Sequence, residues 1–525
     1  MKVLEFKNEA FTDFSKEDNR RKMEQAIAKA ESMLGREWSL VLGGERLRCK
    51  DQFLSHNPSD PDQIVGVFQK GTTAEAERAI EIADRAFESW KRTPAEERAK
   101  MCLRVAELMR ERRFELAAWM ILEVGKNWVE ADADVAEGID LVDFYGHEIL
   151  RYAEEHPLVR IPTERNELRY IPLGVGIVIP PWNFPIAILA GMTTMTWAAG
   201  NTAVLKPSSD SPALAKQYVQ ITEEAGLPPG VVNLLTGPGS SIGDSLVAHP
   251  RTRFISFTGS KAVGLRINEI AARTEAGQRW IKRVIAEMGG KDPIIVDSEA
   301  NLDAAAQGVM VSAFGYSGQK CSACSRAIVD TSVYDEFIER LVEKTKRLKI
   351  GPAKDPDTYI GPVINMAAMA KILDYIAMGK REGRLIFGGN RVGDHGYFVE
   401  PTIIVDVDRN ATIAQEEIFG PVLTVIRAQD FRDAIDIAND SEYGLTGSVY
   451  TRNPDKIRWA AEEVHVGNLY FNRKCTGALV GVHPFGGFNM SGTDSKAGGR
   501  DYYLLYTQAK CCSEVLPVPN TAKKS

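Results

Sequence analysis

A chain of 525 residues is too long for a single hydrophobic core, so two large domains are expected. Hydrophobic residues make up 44% and charged residues 26%, which argues against extended disorder. A net charge of −7 without any basic tract argues against nucleic acid or anionic lipid as a partner held by charge, the Lys523–Lys524 pair being only a tail.

The opening run, M-K-V-L-E-F-K-N, carries acids and no apolar stretch, so no signal peptide is expected. The N-terminal third reads as helical. Residues 16–35 form a polar amphipathic pattern closed by Gly35 as a C-cap. Thr72 and Glu75 make a capping box, after which Ala79, Ala83, Ala86, Phe87 and Trp90 share one helical stripe. Further helices are expected over about 95–124 and 128–150. Then the texture changes to short β-branched runs at 174–179, 202–206, 231–236 and 253–258 with helical patterns between them, the rhythm of βαβ units in a doubly wound parallel sheet. The stretch between Arg169 and Lys206 carries no charge, but Pro172, Pro180, Pro181, Asn183 and Pro185 make it buried sheet rather than a membrane span. A second α/β series follows Glu287, with P-I-I-V-D, a helix over 302–314, S-R-A-I-V-D, G-P-V-L-T-V, L-T-G-S-V-Y and V-G-N-L-Y-F in turn. The run G-P-G-S-S-I-G (237–243) has one residue too many for a dinucleotide fingerprint and reads as a turn.

Seven cysteines, at 49, 102, 321, 324, 475, 511 and 512, are sparse and irregular, as in a reduced cytoplasmic protein with free thiols. In F-G-Y-S-G-Q-K-C-S-A-C-S-R (314–326) two of them stand at C-x-x-C spacing. A zinc clip lacks a second pair and neighbouring histidines. A thioredoxin-like pair would follow a strand, whereas this one follows a helix. A buried structural cysteine and a lone nucleophile remain. For the second, Gly315 and Gly318 allow close approach, and Lys320 adds positive charge that favours thiolate.

The segment F-x-x-x-G-Q-x-C (314–321) resembles the active-site signature of the aldehyde dehydrogenase superfamily. The resemblance runs in order through P-P-W-N-F-P (180–185), V-L-K-P (204–207), F-T-G-S-x-x-V-G (257–264), E-M-G-G-K (287–291), Q-E-E-I-F-G-P-V (415–422), N-D-S-E-Y-G-L-T (439–446) and P-F-G-G (484–487). It implies an NAD-dependent dehydrogenase with Cys321 as nucleophile, Asn183 as the side-chain donor to the oxyanion and Glu287 as general base; Cys324 is then an idle neighbour. Taken by themselves, Asn183 is a turn residue or an aimed donor, and Glu287 a solvated loop acid or a base. For the cofactor the resemblance implies Trp182, Gly259, Ser260 and Val263 near the pyrophosphate, Lys206 and Ser209 at the adenosine ribose, and Glu417 with Phe419 at the nicotinamide ribose. Many NAD-preferring relatives carry Glu where Ser209 stands, so NADP is admitted alongside NAD. No metal is implied.

Local wording (G-Q-K-C-S-A-C-S-R and C-T-G-A-L-V-G-V-H-P-F-G-G, 475–487) is most similar to the branch of the superfamily that acts on L-glutamate γ-semialdehyde. That implies an aldehyde with an α-amino acid end, held by Glu137, Phe184, Ser322, Gly477, Ala478 and Phe485. The implied architecture has an N-terminal arm and dinucleotide-binding domain (1–153 and 172–287), a catalytic domain (288–490), and an oligomerisation hairpin with a C-terminal strand and tail (154–171 and 491–525). The partner is a second copy of the chain in a homodimer or higher homo-oligomer. Another semialdehyde, such as succinate semialdehyde, is the alternative substrate; a non-catalytic nucleotide-binding protein of the same fold is the alternative class.

Overall fold

The computed structural model describes residues 5–517, so the first four residues and the Lys523–Lys524 tail lie outside the described residues. Two seven-stranded sheets carry the fold. In the first, strands Arg283–Glu287, Thr252–Thr258, Val175–Ile179, Thr202–Leu205 and Val232–Leu234 lie side by side in parallel. Helices Ala187–Ala198, Pro212–Glu224, Gly239–Ala248 and Lys261–Ala272 connect these strands. Both faces are covered, and Ile177, Val204 and Ile255 are fully buried, as an apolar run without alternation requires. The second sheet runs in parallel through Thr402–Val405, Val422–Ala428, Cys324–Asp330, Asp292–Val296, Thr446–Tyr450 and Asn468–Phe471, with Arg384–Phe387 antiparallel at one edge. These are two doubly wound α/β layers, and ligands of such sheets sit beyond the carboxyl ends of the strands.

Several expectations need correcting. Residues 36–69 are not helical. They contain five strands: Arg36–Trp38, Gln52–Asn57 and Asp60–Gln69 make a small sheet, while Leu40–Leu42 and Glu45–Leu47 extend the first large one. The signal was present in Gly43–Gly44, both at positive φ (61° and 84°), the pair that a two-residue hairpin turn demands. Gly35 does not cap the first helix, which ends at Glu31 with Ser32 in the cap; Gly35 (φ 73°) turns the chain into the next strand instead. The helix expected over 95–124 is interrupted at Arg112. The 237–243 run is not a plain turn: Pro238 occupies the N-cap of Gly239–Ala248.

The expected hairpin within 154–171 has no second strand in residues 154–163, where Pro157 and Pro162 lack ladder donors. Glu164–Pro172 pairs instead with Thr507–Val515, more than 330 residues away, as a two-stranded antiparallel ribbon. Beside it Val159 is 91% exposed, with Ile161, Val515 and Leu516 also open to solvent. Among the described residues no helix is long and apolar enough to cross a membrane.

Candidate active site

The helix Leu302–Phe314 ends in a backbone conformation that L-residues seldom adopt. Tyr316, Ser317 and Gly318 have φ of 50°, 54° and 69°, strain of order 1–3 kcal/mol for each non-glycine residue. It persists because the turn is pinned from outside. The Tyr316 hydroxyl donates to the Val124 carbonyl at 2.8 Å, and the Ser317 hydroxyl to the Gly361 carbonyl at 2.8 Å. Gly318 is required because a Cβ there would collide with the Gly420 carbonyl. Gln319, fully buried, donates to the Pro362 carbonyl (3.2 Å) and accepts the Ile364 N–H (2.8 Å). Its own carbonyl accepts the Asn183 amide at 3.0 Å. One glutamine thus couples the turn, the 361–364 loop and Asn183, which explains physically why G-Q precedes the cysteine.

Cys321, half-buried, emerges from this turn into a crevice of about 850 Å³. Cys324 does not line the crevice; it opens the strand Cys324–Asp330, is buried, and points its thiol at the Arg326 carbonyl (3.6 Å). The two thiols of the C-x-x-C therefore face different surroundings. Among the described residues the grouping of three or more side chains suited to a metal is Asp60, Asp62 and His395, away from both thiols. Burial pushes the Cys321 thiol well up, and the carboxylates of Asp292, Glu417 and Glu287 push it further, with the Ser322 N–H opposing. The expected help from Lys320 is absent, because its ammonium is paired with Glu130 at 2.7 Å. The resting thiol is protonated in this environment.

Along the same crevice lie Trp182, Asn183, Lys206, Ser209, Gly259, Ser260, Val263, Glu417 and Phe419. Trp182 stands edge-on to Phe419, with ring centres 5.6 Å apart. Phe419 itself is at φ 62°, so I-F-G is a second left-handed point. Lys206 is buried with only the neighbouring Pro207 carbonyl (3.1 Å) for its ammonium, and burial lowers its pKa to about 8. Glu417 accepts the Gly290 N–H at 3.1 Å, and burial raises its carboxyl above the usual range. Gly289 and Gly290 are not there for torsional freedom, since neither has positive φ. A side chain on Gly289 would collide with the Glu417 carboxylate, and one on Gly290 with the Cys321 carbonyl. Gly239, Ser240 and Gly243, from the helix that had read as a turn, also line the crevice.

Glu287 is placed differently. Its carboxylate accepts the Ser495 hydroxyl (2.7 Å), the Ser495 N–H (3.2 Å) and the Gly487 N–H (3.4 Å), and it does not line the crevice. Burial raises its pKa to about 7 against those three donors.

Glu137, Phe184, Ser322, Gly477, Ala478 and Phe485 also lie outside the crevice lining. Glu137 is half-buried on the helix Trp128–Ala153, its carboxylate makes no hydrogen bond among the described residues, and its pKa is raised to about 8 by burial and then by Asp134. The Cys475 thiol donates to the Ser322 carbonyl at 3.3 Å, which seats the 475–485 loop beside the residue after Cys321. Phe485 exchanges two backbone hydrogen bonds with Ala497 (2.8 and 2.7 Å).

Sequence reasoning missed the ion pair beneath the Asn183 loop. Lys126 and Asp134, both fully buried, meet at 2.7 Å. Lys126 stands 3.8 Å over the Phe184 ring, and Asp134 accepts the Ala187 N–H (2.6 Å) at the start of the following helix. The available signal was a lysine in the loop directly after the buried helix Arg113–Val124 and an acid among the apolar positions of Trp128–Ala153.

The sequence profile of the aldehyde dehydrogenase family matches residues 46–512. A 1-pyrroline-5-carboxylate dehydrogenase of Geobacillus thermodenitrificans is 53% identical over 513 residues, covering 98% of this chain and 100% of that protein. A crystal structure of 1-pyrroline-5-carboxylate dehydrogenase from Thermus with bound NAD superposes with a TM-score of 0.97 at 50% identity, over 98% of this chain and 100% of that one. Proline utilization A from Bdellovibrio bacteriovorus, inactivated by N-propargylglycine, gives a TM-score of 0.97 at 45% identity over 99% of this chain and 54% of its own.

Proposed function

Since the chain belongs to the aldehyde dehydrogenase family, we propose that it oxidises L-glutamate γ-semialdehyde, the open form of 1-pyrroline-5-carboxylate, to L-glutamate with NAD. The observation that carries this reading is the full-length match to 1-pyrroline-5-carboxylate dehydrogenases together with one crevice holding Cys321, Asn183 and Glu417.

The crevice suits a dinucleotide. Lys206 holds a buried ammonium in need of an oxygen acceptor, and the free N–H groups of the helix beginning at Lys261 suit a pyrophosphate beside Gly259, Ser260 and Val263. Trp182 flanks that site. Glu417 takes a ribose hydroxyl with Phe419 packed beside it, and Ser209 brings no negative charge against a 2′-phosphate, so NADP is admitted as well. When bound, the dinucleotide accepts the hydride.

Cys321 supplies the nucleophile. Its sulfur adds to the aldehyde carbon after the thiol gives up its proton to solvent water, and the carbonyl oxygen becomes the oxyanion of a thiohemiacetal. Asn183 spends one amide hydrogen on the Gln319 carbonyl and has a second to aim at that oxyanion. Loss of hydride from the same carbon leaves a thioester on Cys321. Water then attacks it with Glu287 taking the proton, which releases the carboxylic acid and the thiol. Glu287 reaches that water by turning away from Ser495 or through a bridging water.

The substrate's two ends find complementary groups. The N–H groups of Thr476, Gly477 and Ala478 have no acceptor among the described residues, and Gly477 is at φ 75°, so this loop is a concave set of donors for the α-carboxylate, with Ser322 next to it. Glu137, unpaired, suits the ammonium. Phe184 and Phe485 flank the aliphatic middle. The exposed apolar residues and open edges of the 164–172 and 507–515 ribbon are covered by a second copy of the chain in at least a homodimer. The seven free cysteines fit a cytoplasmic setting.

Steady-state kinetics on 1-pyrroline-5-carboxylate and on succinate semialdehyde with NAD tests the reading. The expected result is a clearly higher kcat/KM for the first; a preference for succinate semialdehyde overturns the substrate assignment.

A further inference from the structure

The charged pair beneath the Asn183 loop touches both halves of the site where the oxyanion forms. Lys126 is fully buried, and its ammonium stands 3.8 Å from the centre of the Phe184 ring and 4.8 Å from that of Tyr316. Phe184 is the residue after the amide donor, and Tyr316 is the first of the left-handed residues in the turn that leads to Cys321. The same short segment holds that turn a second time, because the Val124 carbonyl accepts the Tyr316 hydroxyl at 2.8 Å. Asp134 fixes the other end. One of its oxygens accepts the Lys126 ammonium at 2.7 Å and the other the Ala187 N–H at 2.6 Å. The helix Ala187–Ala198 has Ile186 at its N-cap and no side-chain cap of its own, so Asp134 supplies one from a neighbouring helix. Stability is a poor account of this arrangement. Two buried charges lose about as much hydration as they regain from each other, and apolar residues of similar volume would fill the space as well. What apolar residues lack is direction.

We propose that Lys126 and Asp134 are positioning residues for the reaction: together they set where the Asn183 amide stands relative to the Cys321 sulfur. This rests on the reading of Asn183 as the oxyanion donor given above and deepens it. Asn183 commits one amide hydrogen to the Gln319 carbonyl at 3.0 Å, so the aim of the second follows from where its backbone is held. That backbone is held within the next four residues, by Lys126 against Phe184 and by Asp134 at Ala187. The contact of the ammonium with the two rings is a desolvated one, the setting in which a cation grips an aromatic face most firmly. Neither Lys126 nor Asp134 lines the crevice, so their influence on the chemistry passes through Asn183. A misplacement of about 1 Å at a reacting centre is enough to cost on the order of 10²-fold in rate.

The test is a double-mutant cycle read by single-turnover hydride transfer from 1-pyrroline-5-carboxylate to NAD. Lys126→Met combined with Asp134→Asn removes both charges together, which a buried site tolerates far better than the loss of one. Lys126→Met alone is the second variant, and each is made both in the wild-type chain and with Asn183→Ala. The paired variant is expected to slow hydride transfer about tenfold where Asn183 is present and by less than about twofold where it is replaced, the non-additivity of residues that act through one another. Lys126→Met alone should give the same pattern with a larger loss. NAD binding, followed by tryptophan fluorescence, should stay within about twofold of wild type. Equal losses in the two backgrounds, an undiminished rate, or failure of both variants to bind NAD would make the pair an element of folding alone and overturn the inference. An Asn183→Ala enzyme that transfers hydride at the wild-type rate overturns the donor reading itself, so the two failures are distinct.

Discussion

On one side of Cys321 the crevice is walled by the carboxyl ends of parallel strands and the first turns of two helices, with glycines where backbone must come close. On the other side a second wall, outside the crevice lining, is irregular chain, the 473–487 segment, whose shape depends on side chains such as Arg473 and on a thiol hydrogen-bonded to the Ser322 carbonyl. The first wall is part of the sheet architecture and serves a ligand common to the whole family. The second can change without disturbing either sheet. Chemistry shared by many aldehydes belongs on the first, and choice among aldehydes on the second.

The largest expected effect breaks the chemistry while sparing the crevice. Cys321→Ala removes the sulfur, and loss of a nucleophile costs on the order of 10⁶ in kcat. Oxidation should fall to background while NAD binding, followed by quenching of tryptophan fluorescence, stays within about twofold. Retained turnover would mean that another group attacks the aldehyde.

Next in size is Asn183→Ala. The amide lines the crevice and donates to the Gln319 carbonyl of the turn that carries Cys321. Its loss should lower kcat about 10²–10³-fold, as removal of one oxyanion donor does. Single-turnover hydride transfer is the measurement, since it isolates the step in which the oxyanion forms. A change confined to KM would make Asn183 a loop residue only.

How far these walls could be read from sequence follows their construction. Helix starts, close-approach glycines and buried strands are local, so F-T-G-S, E-M-G-G-K and the β-branched runs signalled themselves within a few residues. The pairing of Glu164–Pro172 with Thr507–Val515 has no local signal, and proximity in sequence favoured a hairpin that two prolines prevent. Lys126, Asp134 and Gln319 act through partners brought together by folding, so only their residue types could have hinted at them. The strands of 36–69 were legible in Gly43–Gly44 and were obscured by the helical patterns on either side. Glu287 is the subtlest case. Its motif marks the position but not the direction its carboxylate faces, which Ser495 and Gly487 decide.

That direction leads to the smallest effect, which concerns pH. Glu287 must be ionised to take a proton from water, so the rate of thioester hydrolysis should climb as pH rises through about 7. Burial is the chief cause of the raised value, and the Ser495 hydroxyl is the strongest of the groups opposing it. Ser495→Ala removes that donor and leaves the Ser495 and Gly487 N–H groups in place. The sign is therefore fixed: the carboxyl becomes harder to ionise, and the acid limb of kcat should move to higher pH by about one unit, the shift that one hydrogen bond to a charge sustains. Because folding holds this carboxyl protonated above its unfolded value, stability should fall as pH rises from 4.5 through about 7, and over a wider pH range in the variant. Above both limbs the two enzymes should converge, because Glu287 is then ionised in both. A limb that moves to lower pH, or a variant equally impaired at every pH, would show that Ser495 acts on the loop and not on the charge of Glu287.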